Sequence, residues 1–294
     1  MSSDVITAGA AGTWQLGDLT VNRVGLGAMR LTGRTAFGHG TPSDRSQAVR
    51  VLRRAVEFGV NHIDTASFYF SPLRSANELI NTALAPYPDD LVIVTKVGPG
   101  RDPSGEWYSA TPEQLRGQVE ENLRQLGRDH LDVVNLRRMS QESIAEHVGA
   151  LAELRDAGLI RHLGVSQVSP VHLAEARAIV PVVCVQNRFS VDVRVHDEVL
   201  RSCGEQGIAF VPYFAIAGES REAGGDGTAE SEQVQAVAQA HGASPAQIRL
   251  AWTLQLGPHV LAIPGTGNPD HLEANVAAGA LRLSREEMAL LSGE

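Results

Sequence analysis

The chain has 294 residues and a formal net charge of −9, with 43% hydrophobic and 20% charged residues. That length suits one large α/β domain or two smaller ones around a substantial core. No apolar run approaches the roughly 20 residues of a membrane span, and the acidic balance argues against a general binder of nucleic acid or anionic membrane, leaving room for a local basic pocket. The opening "MSSDVITAGAAGTW" has neither the basic nor the apolar region of a secretory signal. Cys184 and Cys203 are too few for a disulfide framework or a cysteine-rich zinc site, so buried thiols and a cytoplasmic location are expected.

In chain order, residues 1–13 are expected to be a flexible segment, and "TWQLGDLTVNRVGLGAM" reads as a hairpin turning at Gly17-Asp18. Short apolar runs then alternate with longer helical patterns, the signature of repeated βα units and a parallel sheet. The expected strands are Val24–Leu26, His62–Asp64, Leu91–Lys96, Leu131–Leu136, His162–Ser166, Val182–Gln186, Ala209–Tyr213 and Val260–Pro264. The expected helices are 44–58, 75–85, 111–126, 140–157, 170–179, 195–206, 231–241 with 244–256, and 269–278. Thr111-Pro112-Glu113, Ser244-Pro245 and Asn268-Pro269-Asp270 each place a capping side chain and a proline at a helix start.

Eight such units without a dividing linker fit a closed (β/α)8 TIM barrel, residues 14–294, with the hairpin closing its floor. Active sites of such barrels gather at the C-terminal strand ends, where Asp64, Lys96, Arg137, Ser166, Gln186 and Tyr213 all fall. Among them Asp64 and Lys96, together with Tyr69 just beyond the strand, suggest a proton donor with its tuning partners. A phenol yields a proton near neutral pH when a cation beside it lowers its pKa, and a carboxylate holds that cation in place. No G-x-G-x-x-G fingerprint follows a strand, which disfavours a Rossmann dehydrogenase, and no metal-spaced cluster is found among the His residues.

The segments "VNRVGLGAMRL", "GVNHIDTASFY", "VTK", "LDVVNL", "GLIRHLGVS", "VQNRFS", "VPYF" and "AIPGTGNPDHLEANVAA" occur in order at the ends of the right elements. In these the chain resembles the aldo-keto reductases, from about Trp14 to the C-terminus. The resemblance implies a (β/α)8 barrel that binds NADPH and reduces a small aldehyde or ketone. It implies Tyr69 as proton donor, Lys96 as the cation lowering its pKa and Asp64 as the carboxylate paired with that lysine. Ser166, with Gln167 beside it, and Gln186 are implied at the nicotinamide carboxamide, and Tyr213 as the aromatic stacking on the ring. Gly265, Thr266, Gly267, Asn268, His271 and Asn275 are implied around the adenosine 2′-phosphate and adenine.

The chain departs from that pattern in several places. Arg137 stands where the family usually has a His that orients the carbonyl. Arginine cannot act as a neutral imidazole; it donates to a carbonyl oxygen or an anionic substrate group, or else pairs with Asp64 or another acid. Phe70 replaces a common Gly, and with Phe68, Trp107 and Tyr108 suggests either an aromatic-lined mouth or a packed loop. Gln167 replaces the usual Asn, His271 a common Arg and Ala274 a common acid, so NADH stays possible beside NADPH. The Gly-rich stretch Ala217–Thr228 reads as a cover over the pyrophosphate or as a surface loop. The "LDVVNLR" form looks like the bacterial subset that includes pyridoxal reductases, which makes pyridoxal or another aromatic aldehyde the expected substrate. A monomer or small homo-oligomer is expected. An NADP(H)-binding regulatory or sensing protein with weak or no turnover, and a barrel using its cofactor in a non-reductive step, are the alternatives.

Overall fold

The computed structural model of the protein describes residues 6–33, 43–102, 104, 106–216 and 231–293. Its strands are β1 (Thr13–Leu16), β2 (Leu19–Asn22), β3 (Leu26–Gly27), β4 (His62–Asp64), β5 (Phe70–Ser71), β6 (Arg74–Ser75) and β7 (Val92–Val97). They continue with β8 (Pro99–Arg101), β9 (Trp107–Ser109), β10 (Leu131–Arg137), β11 (Ile160–Ser166), β12 (Val182–Gln186) and β13 (Ala209–Phe210). Seven of them form one parallel sheet in the order β13-β12-β11-β10-β7-β4-β3. The stretch 260–265 closes it into the expected (β/α)8 barrel: Val260 bridges Phe210 on one side, while Ala262 and Gly265 bridge Val24 and Gly27 on the other. Arg23 secures this seam, donating to the carbonyls of Val260 at 3.1 Å and Gly257 at 2.7 Å.

The strands read as near-continuous apolar runs because both faces are covered. Val92, Val94, Val133, Cys184, Ala209, Val211 and Leu261 fill the barrel interior, and Leu16 and Val21 join them from the β1–β2 hairpin, which plugs the floor. Asp18, at the hairpin turn, meets Arg161 and His162 at 2.6 Å each and ties the plug to the barrel wall. Helices cover the outer face. In Arg45–Glu57, Ala48, Val51, Leu52 and Ala55 are buried at the spacing of one helical stripe, and Asp44 caps the start by accepting from the Gln47 N–H at 2.7 Å.

Several expectations are corrected. Within the segment 1–13 expected to be flexible, Ala8–Ala11 instead forms a 3-10 turn. Ala8 is buried there and its N–H donates to the Phe58 carbonyl at 2.8 Å, so packing orders it. The helix expected from 140 begins only at Ala145, because Glu175 captures the preceding turn, accepting from Ser143 Oγ at 2.5 Å and from the Ile144 N–H at 2.7 Å. The strand expected over Ala209–Tyr213 narrows to β13, although Val211 and Tyr213 still donate backbone hydrogen bonds to Val185 and Asn187. The Ala217–Thr228 stretch lies outside the described residues. Among the described residues no helix is long and apolar enough to cross a membrane.

Candidate active site

Side chains alternate across a strand, so every second residue of each barrel strand points inward. The inward series includes His62 and Asp64 on β4, Lys96 on β7, Asn135 and Arg137 on β10, Ser166 on β11 and Gln186 on β12. Lys96 pairs in register with Asn135, Arg137 with Ser166, and Ser166 with Gln186. The C-terminal end of the barrel therefore collects an acid, two cations, a hydroxyl and an amide from five strands.

Lys96 Nζ lies 2.6 Å from Asp64 Oδ1 and donates to the Thr65 carbonyl at 3.0 Å, with both side chains buried. The other carboxylate oxygen, Asp64 Oδ2, accepts from Gln186 Nε2 at 2.7 Å. Lys96 Nζ also sits 4.9 Å from the Tyr69 ring centroid and hydrogen-bonds the phenol. Burial disfavours the Lys96 ammonium, but Asp64 and Tyr69 outweigh it and raise its pKa above the ordinary lysine value. Burial likewise pushes the Tyr69 hydroxyl up, while Lys96, and further off Arg137, favour its ionised form. Tyr69 is thus protonated through the neutral range and lies beside an ammonium that Asp64 keeps charged.

Arg137 does not pair with Asp64, and no acid forms an ion pair with it among the described residues. Its Nη1 donates to Tyr213 OH at 2.9 Å and approaches Ser166 Oγ and Gln167 Oε1 at 3.4 Å each, with the guanidinium carbon 5.0 Å from the Tyr213 ring centroid. Tyr213 OH in turn donates to Gln167 Oε1. Gln167 holds this place in a left-handed backbone conformation, φ 59°, and so does Phe214, φ 62°. Ser166, Gln167, Gln186 and Tyr213, expected together from sequence, are together with Arg137 among them.

At the end of the closing stretch 260–265, Gly265 is exposed and Thr266 buried, and Asn268 caps the helix Pro269–Ala277 by accepting from the Asp270 N–H at 2.9 Å. His271 is exposed in its first turn and Asn275 buried one turn later; Gln47 Nε2 holds the Gly267 carbonyl at 2.6 Å. Gly27 and Gly265 bring two backbones together, since a Cβ on Gly27 would stand 2.7 Å from the Ile263 carbonyl oxygen.

An aromatic cluster is built mainly by two small hairpins, β5–β6 and β8–β9. Phe68 packs edge-on to Tyr69 at 5.2 Å and to Trp107, on β9, at 5.7 Å. The Arg101 guanidinium lies over Phe70 at 4.4 Å and Trp107 at 5.5 Å and donates to the Phe70 carbonyl. Phe68 is buried, while Trp107 and Tyr108 are about two-fifths exposed at 41% and 42%.

Two groups escaped the sequence reading. His62 lies one inward position below Asp64, wholly buried; burial pulls its pKa down to about 4, and its Nδ1 has no hydrogen-bond partner among the described residues. Behind the site, Thr65 donates to Asn77 at 2.7 Å, Asn77 to Asn122 at 2.9 Å, and Thr95 to the same Asn122 oxygen at 2.6 Å, which fixes the ends of β4 and β7. A Thr directly after Asp64 and an Asn inside an apolar helix were the available signals. Cys184 and Cys203 are buried, and burial pushes both thiols up to about 12. Among the described residues no group of three or more His, Cys, Asp and Glu is arranged to hold a metal.

Residues 23–293 match the Aldo/keto reductase family. The chain belongs to that family. As such it is an oxidoreductase. It is 43% identical to pyridoxine 4-dehydrogenase of Escherichia coli over 97% of this chain and 98% of that protein. A solved thermostable aldo-keto reductase in complex with the inhibitor epalrestat superposes with a TM-score of 0.79 at 31% identity, covering 96% of this chain and 98% of the other. An aldo-keto reductase from Klebsiella pneumoniae in complex with NADPH superposes with a TM-score of 0.78 at 28% identity, covering 93% and 91%.

Proposed function

We propose that this aldo/keto reductase uses NADPH to reduce an aromatic aldehyde to its alcohol, with Tyr69 giving the proton. The observation that carries this is Lys96, held 2.6 Å from Asp64 and against the Tyr69 phenol at the C-terminal end of the barrel. When bound, the nicotinamide supplies the hydride. Tyr69 donates its proton to the carbonyl oxygen as that oxygen gains negative charge. Lys96 stabilises the phenolate left behind, and Asp64 keeps the ammonium charged and aimed. Thr65 and Gln186 hold the Lys96–Asp64 pair from two sides.

The donor set suits the cofactor. Ser166, Gln167 and Gln186 present a hydroxyl and two amides on adjacent strand ends; the Gln186 side-chain Nε2 is used by Asp64, while its Oε1 accepts no hydrogen bond among the described residues. That combination matches a carboxamide, which needs both a donor and an acceptor, and the half-buried Tyr213 ring beside it offers a face for stacking. Gly265, the Asn268-capped helix start and His271 suit a phosphate, where free N–H groups and the helix dipole favour an anion. His271 in place of a common Arg weakens the hold on a 2′-phosphate and leaves NADH usable.

Pyridoxal is the substrate favoured by the 43% identity to pyridoxine 4-dehydrogenase, and Phe68, Phe70 and Trp107 give a ring an aromatic surface. The working unit is read as residues 14–294, in the cytoplasm, as a monomer or small homo-oligomer. The regulatory alternative has less support, because donor, cation and carboxylate are all in contact. The test is NADPH and NADH oxidation, followed by absorbance, with pyridoxal, aromatic aldehydes, α-dicarbonyls and simple ketones. Turnover with an aromatic aldehyde supports the reading, and tight NADPH binding without turnover on any carbonyl would replace it with the regulatory one.

A further inference from the structure

We propose that Arg137 makes this a reductase of carbonyl compounds that carry a carboxylate or other oxyanion near the carbonyl. The inference rests on the reductase reading and adds the substrate class. Arg137 is half-buried at the C-terminal end of β10, close enough to Tyr69 to favour its ionised form. Only one of its terminal nitrogens is engaged: Nη1 meets Tyr213, Ser166 and Gln167, all of them uncharged. Nε and Nη2 have no hydrogen-bond partner among the described residues, and neither is among the buried unsatisfied atoms, so both reach solvent.

A guanidinium that is partly desolvated and faced by neutral groups favours an anion. In a chain of net charge −9, no acid among the described residues forms an ion pair with this cation. The other cation of the pocket, Lys96, is already neutralised by Asp64, and Arg101 is occupied by the rings of Phe70 and Trp107. Arg137 presents a second nitrogen and Nε in the fork that matches a carboxylate. The Tyr213 contact fixes the guanidinium plane. Pyridoxal, with an ionisable oxygen next to its aldehyde, falls within the class.

The experiment compares benzaldehyde with its 2-, 3- and 4-carboxyl derivatives, using wild type, Arg137→Met and Arg137→Lys. Beside it, calorimetry measures benzoate binding to the NADP⁺-saturated protein. The expected result is a wild-type preference for at least one carboxybenzaldehyde over benzaldehyde in kcat/KM. That ratio falls at least tenfold in Arg137→Met and recovers in part in Arg137→Lys, and benzoate binding weakens at least tenfold in Arg137→Met. A preference that survives in Arg137→Met, no preference in wild type, or unchanged benzoate binding would overturn the proposal. Reduction of benzaldehyde itself reports on the reductase reading, so the two can fail separately: loss of all turnover with Arg137-dependent benzoate binding overturns the reductase and keeps the anion site.

Discussion

Asp64 is gripped from both sides of the barrel: its Oδ1 lies 2.6 Å from Lys96 Nζ and its Oδ2 accepts from Gln186 Nε2 at 2.7 Å. A buried carboxylate held by one cation and one amide is stable only as a unit. Removing the cation leaves an uncompensated charge, which costs about 3–5 kcal/mol. Lys96→Met should therefore lower the unfolding free energy from a urea titration by that amount. The double variant Lys96→Met with Asp64→Asn should be less destabilised than the two single changes added together. Additive losses in the double variant would show that the two groups do not depend on each other.

His62 makes the barrel acid-sensitive. Its folded pKa of about 4 lies below the ordinary 6.5, so the unfolded chain binds the proton first. The stability this group lends is fully present above about pH 6.5 and is lost as the pH falls toward 4, amounting to about 3 kcal/mol. Urea titrations at pH 7 and pH 4 should show that part of the acid loss disappearing in His62→Leu. An identical loss in wild type and variant would remove His62 from the account.

Gly27 closes the seam beside the expected phosphate segment. A Cβ there would meet the Ile263 carbonyl oxygen at 2.7 Å and the Gly265 backbone at 3.5 Å, and backbone atoms on both sides cannot swing away. Gly27→Ala should lower stability by about 1–3 kcal/mol, the usual cost of overpacking, and weaken NADPH binding as the seam opens. An unchanged melting temperature would contradict the close approach.

Trp107 tests the aromatic mouth. It stands edge-on to Phe68 at 5.7 Å and is 41% exposed. Trp107→Ala should raise KM for aromatic aldehydes by roughly 5–10-fold, the worth of about one aromatic contact of 1–1.5 kcal/mol. KM for small aliphatic aldehydes should move little. Equal effects on both classes would mean a general loop defect.

The strands were legible because a parallel barrel buries both faces and leaves apolar runs such as Leu91–Val94, followed by Thr95 and the Lys96 of the site. Thr111, Ser244 and Asn268 announced their helices because capping is local chemistry. Ser284 and Glu287 form a capping box of the same kind, and the helix Arg285–Ser292 that follows them was equally readable, yet fell outside the expected series. Other features depend on partners distant in sequence. The turn before Ala145 is decided by Glu175, about thirty residues away, and the partner of Arg137 is Tyr213, not an acid. Nothing in "NLRR" alone distinguishes an ion pair from a hydrogen bond to a phenol. The Asn77–Asn122 network likewise joins two helices that no local pattern connects.

The most direct measurement is NADPH oxidation by wild type and Tyr69→Phe with the best aldehyde, together with NADPH binding by fluorescence. Loss of the hydroxyl removes the proton donor while the carboxamide and phosphate contacts remain. Turnover should fall by at least 10²-fold, the low end of general acid catalysis, with NADPH affinity within a few-fold of wild type. Retained turnover in Tyr69→Phe would contradict the account and move the proton to another donor.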